Sequence, residues 1–381
     1  LVTLGWIAGS ILGAIHVVAP LALRAPMPER RLDRPAFALF AAGLSAMAAH
    51  FWIDEASGMA WGAGMAALAL AYVSGRAIRA IARAPVPLEV RAHLVLAFGN
   101  AIAAAAAGVL LGANKLRPFL PGFVLSNVAA HAHLAAVGFA VMTFMGSAYR
   151  LLPMMLPAAM PRGRLVWAGA ALVGGGVWAL FASLVAGLPL EGPSAVAIVA
   201  GLAVFASRVA WMLRHRRPPP AERARPDLAT VHTFLAMAYL PIAAALGLVL
   251  AFTPPSDTRL RLILLYGVAG LVGFLAQVVV GVQARIVPLF AWLWGFADAS
   301  YDRLPPSMHG LGDRRLQAVV LLLWTAGVPA LAYGFWTDAT RWIAAGGWVL
   351  LVAVLLGAVQ NVAVLRRAWD IRGFQPKPGG R

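Results

Sequence analysis

The sequence predicts an all-α integral membrane protein with about 11 visible transmembrane helices, and three observations predict it. Of 381 residues, 61% are hydrophobic and only 12% are charged, about half the charged share of an ordinary soluble domain. Mean hydropathy is +0.81. The apolar residues run in stretches of roughly 20, the length needed to cross about 30 Å of hydrocarbon, with short polar connections between them. A soluble globule is therefore excluded. The chain has no cysteine, which excludes disulfides, zinc–thiolate sites, iron–sulfur clusters and cysteine nucleophiles.

The spans follow in order. The first, near residues 1 to 23, stops at a basic connection holding Arg24, Arg30, Arg31 and Arg34, and the second, 36 to 53, stops at Asp54 and Glu55. The third, 57 to 80, runs into Arg76, Arg79 and Arg83; the fourth covers 91 to 113. The fifth, 125 to 150, precedes Arg162 and Arg164, and the sixth, 165 to 188, precedes Glu191. The seventh, 194 to 213, gives way to Arg214, Arg216, Arg217, Arg223 and Arg225, and the eighth, 229 to 252, to Asp257. The ninth spans 261 to 290, the tenth 316 to 336 before Asp338, and the eleventh 342 to 365 before Arg366, Arg367 and Arg372. Basic connections thus alternate with acidic ones, so the basic set is expected on the cytoplasmic side. The segment Arg216 to Pro226 reads as a cytoplasmic loop rather than a domain boundary.

A formal charge of +17 could suggest a nucleic-acid partner. The basic residues, however, are dispersed in short runs between apolar stretches, which points to anionic lipid instead. The lipid bilayer is the expected partner, and nucleic acid is not.

The chain repeats itself. The fifth span reads Gly138-Phe139, Gly146, Arg150, Pro153; the ninth reads Gly273-Phe274, Gly281, Arg285, Pro288, shifted by about 135 residues throughout. The first span reads Gly5-Trp6, Gly13 and Pro20 at the same internal spacing. All three run in the same direction, which predicts a pseudo-threefold arrangement of four-helix units, approximately 1–124, 125–260 and 261–381, within a single membrane domain over 1–381. The paired glycines allow close helix approach, and the proline is expected to end each helix. Since Leu1 aligns with Leu134, the first span is expected to lack its opening turns, and twelve helices are expected in full.

Ionisable residues inside a membrane are functional candidates. Of eight histidines, His215 and His309 fall in basic or loop segments. His50, His131 and His133 form an expected outer group, and His93, His232 and His16 an inner one. Neutral imidazole is a ligand for haem iron and for copper, so all six are candidate metal ligands; a lone membrane histidine can equally make an interhelical hydrogen bond. His131 and His133 project about 200° apart on a helix and are expected to face different centres. Arg150 and Arg285, at equivalent helix ends, either reach lipid phosphate or bind haem propionates. Tyr149, Tyr266, Gln277, Gln283 and Asn100 are polar groups that need buried partners.

The stretch His131-Ala132-His133-Leu134, with Gly138, Phe144-Met145-Gly146-Ser147-Ala148-Tyr149 and Leu152-Pro153, resembles a histidine-bearing helix of the haem-copper oxidase superfamily. It is most similar to nitric oxide reductase large subunits and to proteins related to the cbb3-type catalytic subunit; the NnrS family is similar in helix number. The resemblance implies a multi-pass protein of the bacterial cytoplasmic membrane that binds haem b, with copper as a second candidate. It further implies oxidoreductase chemistry, in electron transfer or on nitric oxide or oxygen, with a quinone or an electron-donor protein as partner. His131 or His133, completed by His50, would be the ligands. The sequence departs from the superfamily where further ligands are expected: the span 165 to 188 has no histidine, and the ninth carries Tyr266 and Val268 instead. Two other readings stand beside this one. A transporter or a metal or haem assembly factor would suit helices broken at Gly174-Gly175-Gly176, and a structural subunit of a respiratory complex would need no cofactor.

Overall fold

In a computed structural model, residues 2–217, 227–296 and 308–373 are described. Among them, 11 helices are long and apolar enough to cross a membrane, one for each span expected from the sequence. They are α1 (Thr3–Ala22), α2 (Asp33–Trp52), α3 (Ala56–Ala82), α4 (Leu88–Leu116), α5 (Val124–Met154), α6 (Arg164–Ala186), α7 (Glu191–Arg214), α8 (Leu228–Phe252), α9 (Asp257–Gly295), α10 (Arg314–Thr337) and α11 (Thr340–Trp369). The protein is a helical multi-pass membrane protein. The only β pairing among the described residues is an isolated bridge between Ala158 and Arg216. The loop expected from Arg216 to Pro226 lies, beyond Arg217, outside the described residues, as do Arg223 and Arg225.

The described residues divide into two compact units, one drawn from Leu1–Glu222 with Gly247–Phe252, the other from Arg223–Leu246 with Thr253–Arg381. In the first, α2 packs on α3, α3 on α4, α4 on α5, and α6 on α7. In the second, α10 packs on α11 and α11 on α9. Small residues set these crossings, because hydrocarbon supplies no hydrophobic drive between helices and close backbone contact must replace it. A Cβ on Gly43 would lie 2.6 Å from the backbone nitrogen of Ala66 in α3; one on Gly346 would lie equally close to that of Leu331 in α10.

The repeat is visible as local structure. In each of α1, α5 and α9 the backbone opens into a π-helical segment at the same repeat position: Val2–Ala8, Leu134–Val141 and Val268–Ala276. Each contains the first glycine of its copy, Gly5, Gly138 or Gly273. The two later copies also pack alike. A Cβ on Gly138 would meet Asn100 of α4 at 3.1 Å and one on Gly146 would meet His93 at 2.9 Å; Gly273 and Gly281 seat in the same way on Tyr239 and Thr233 of α8. In α1 the pair is used differently, with Gly5 against Leu44 of α2 and Gly13 facing open space.

Two expectations need correction. The repeated proline does not end every helix: α1 and α5 stop within two residues of Pro20 and Pro153, but α9 continues past Pro288 to Gly295. Proline removes one amide donor, a loss the helix survives where neighbouring packing holds its axis. Beyond Pro288 that packing is a cluster of Ala291, Leu311, Val364 and Ala368 joined by Val287, Trp292 and Trp294. Nor do Gly174, Gly175 and Gly176 break α6, which is helical from Arg164 to Ala186. A Cβ on Gly176 would meet Ile198 of α7 at 2.8 Å, so this glycine serves helix contact.

Candidate functional site

α5 is assembled around its histidines. His131 turns toward α4, where its Nδ1 donates to the carbonyl oxygen of Ala104 at 3.0 Å. The ring lies over Gly108, whose missing side chain makes the room: a Cβ there would be 3.1 Å from the imidazole Cε1. His133, two residues on, donates its Nδ1 to Ala129 of its own helix at 2.7 Å. Both rings are partly buried. Because a carbonyl oxygen only accepts, the bond to Ala104 fixes the tautomer of His131 and leaves the lone pair on Nε2, the form in which imidazole binds a metal.

His16 and His50 carry the same signature, with Nδ1 donating to Leu12 at 2.9 Å and to Ala46 at 2.7 Å. The His50 ring presses on Gly58 of α3, and its Nε2 lies 3.9 Å from the Glu55 carboxylate. Glu55 itself caps α3 by accepting from the amides of Ser57 and Gly58. With its side chain 37% exposed, His50 belongs to the helix-end surface of the α2–α3 hairpin. The structure therefore seats His131 on α4 and His50 on α3. Among the described residues it gathers no group of three His, Cys, Asp or Glu side chains able to hold a metal ion.

The inner histidines are closed in. His93 is fully buried, with Nδ1 donating to the Glu89 carbonyl at 2.8 Å and the ring edge-on to Tyr149, centroids 5.3 Å apart. His232 is 4% exposed and lies near Trp324, centroids 6.3 Å apart. The Nε2 atoms of both, and the hydroxyl of Tyr149, are shut away from solvent without a hydrogen-bond partner. Such atoms cost free energy where they sit.

The two arginines at equivalent helix ends differ. Arg150 donates its Nε to the carbonyl of Ala22 at the end of α1, 2.8 Å away. Arg285 is paired with Asp227 and bonded to Thr230 at 3.0 Å. Burial works against ionisation of Asp227, yet the Arg285 hydrogen bond and charge, with the amide of Ala229, hold its carboxyl below the ordinary value of 3.8. An arginine already carrying a carboxylate has less to offer a propionate.

Sequence reasoning missed the ion pairs; among those of the described residues, two are the least exposed to solvent. Asp33 at the start of α2 pairs with Arg76 of α3, which is 5% exposed and also reaches the Pro28 carbonyl at 2.6 Å. Asp227 stands just before α8, the position where an acidic residue complements a helix N-terminus, and that was the available signal. Asn100 has a clearer role than expected. It donates to the carbonyl of Gly138 at 2.8 Å and accepts from the indole of Trp178 at 3.0 Å, tying α4, α5 and α6 together. Comparisons with family models, with curated proteins and with solved structures each return no match.

Proposed function

We propose that this membrane protein binds haem b through an imidazole of α5, His131 or His133, and works in electron transfer or in nitric oxide or oxygen chemistry. The observation that carries the proposal is the state of the His131 ring: its Nδ1 is held by the Ala104 carbonyl, so Nε2 presents a lone pair from a rigid helix. Haem bound there would supply a one-electron redox centre. His131 or His133 would hold the haem; among the described residues no three His, Cys, Asp or Glu side chains gather to hold a copper ion. The π segments and glycine seats recurring at repeat positions favour the pseudo-threefold, oxidase-like scaffold, in a bacterial cytoplasmic membrane. A quinone or a donor protein would bring electrons. The unbroken α6 withdraws the feature that favoured a transporter.

The test is purification in mild detergent, with reduced-minus-oxidised spectra and metal analysis of the parent, His131→Ala, His133→Ala and His93→Leu proteins. The parent should show Soret and α bands, one α5 variant should lose them, and His93→Leu should keep them. A parent without either band and without copper rejects the proposal.

A further inference from the structure

The π segment of α5 begins at the residue after His133 and is clamped from outside by one side chain. A π turn winds wider than an α turn, so the residues on either side of it are rotated relative to a continuous α-helix, and such segments are rare and concentrate at functional sites. Here three occur, at the same place in three copies, which makes a chance irregularity of one helix a poor account. Below the segment, Gly146 locks the inner half of α5 against His93 and Leu94 of α4. Above it stands His131, whose ring must meet Ala104 and Gly108 of the same α4. Both halves of α5 thus register on one neighbouring helix, and the π segment between them sets the angle at which the upper half arrives.

Asn100 sits at the joint. Its amide nitrogen donates to the Gly138 carbonyl inside the π segment, while its oxygen accepts from Trp178. The orientation of the amide is forced, because a carbonyl only accepts and an indole N–H only donates. Asn100 is 4% exposed. Gly138 has no side chain to keep Asn100 away: a Cβ would come within 3.1 Å of the amide nitrogen. In the second unit the ring of Tyr239 covers Gly273 in the same way.

We propose that Asn100 is a positioning residue: by holding the Gly138 carbonyl it fixes the π segment of α5 and thereby the direction in which His131 is presented. The use of His131 as a haem ligand rests on the function proposed above; the clamp itself does not. The test compares the full-length parent with Asn100→Leu and Trp178→Phe in detergent, first by amide hydrogen–deuterium exchange read by mass spectrometry. Loss of one buried hydrogen bond should speed exchange in peptides covering 134–141 by about tenfold or more in Asn100→Leu, less in Trp178→Phe, with elution profile and helicity unchanged. In a haem-bearing parent the same variants should shift the low-spin electron paramagnetic resonance signal at equal haem content. Unchanged exchange over 134–141 overturns the clamp; changed exchange with an unchanged resonance signal in a haem-bearing variant overturns the link from the clamp to His131. A parent without haem rejects the cofactor reading alone, and the exchange result then decides the clamp. If Asn100→Leu does not fold, Trp178→Phe, which leaves Asn100 in place, carries the comparison.

Discussion

The imidazole of His131 is held by a different helix from the one that carries it: its Nδ1 donates to Ala104 of α4, 3.0 Å away, and the ring occupies the space that Gly108 leaves open. Direction is thus set by a contact between α4 and α5. Gly108→Leu should drive the ring off its seat, since even a Cβ there would stand 3.1 Å from Cε1. Gly108→Ala needs only a few tenths of an ångström of adjustment. The expected outcome is loss or a marked shift of the haem spectrum in Gly108→Leu with a near-parental spectrum in Gly108→Ala. Equal spectra in both would dissociate the seat from the cofactor.

Adjacent glycines in α11 make a matched pair for the packing argument. A Cβ on Gly346 would meet the Leu331 backbone nitrogen at 2.6 Å, whereas one on Gly347 would meet nothing within 4 Å. Gly346→Ala should destabilise the α10–α11 hairpin by about 1–3 kcal/mol, and Gly347→Ala should stay within about 0.5 kcal/mol of the parent. Thermal unfolding in one detergent measures both; equal melting temperatures would contradict the crossing described.

The Asp227–Arg285 pair gives a signed dependence on pH. Its carboxyl titrates below the ordinary value of 3.8 in the folded protein, so the folded state binds fewer protons than the unfolded state as this group titrates. Its contribution is present above the ordinary carboxylate range and is lost as pH falls through the lowered folded value. The side chains are 32% and 38% exposed, so solvent screening limits the contribution to about 1 kcal/mol or less. Asp227→Asn should flatten the acid limb of a plot of stability against pH, most visibly below about pH 4, and cost little at pH 7. An acid limb as steep as the parent's would show that the pair is not what titrates there.

Much of the fold was legible because the bilayer demands it. Backbone groups cannot be left unsatisfied in hydrocarbon, so about twenty apolar residues between charged connections could only be a spanning helix, and the 11 expected spans are the 11 long helices. The repeated glycine spacing was legible as well and marked where α5 and α9 would approach a neighbour closely, but that these neighbours are α4 and α8 came from the structure. The candidate site was legible only as an inventory of histidines. Periodicity gives the angle between His131 and His133 on their own helix, but not which neighbour receives each ring.

By itself, then, the sequence determined the class of protein, the number and place of its spans and the residues that recur in each copy, because hydrophobic length and spacing are local properties of a chain. Only tertiary structure decided that α9 runs on past Pro288, that His93 and His232 are sealed in packed interior, that His50 stands beside Glu55, and that Arg285 is engaged by Asp227. Each of these depends on which side chain of a neighbouring helix fills or leaves a given space, and no pattern along one helix records its neighbour's surface.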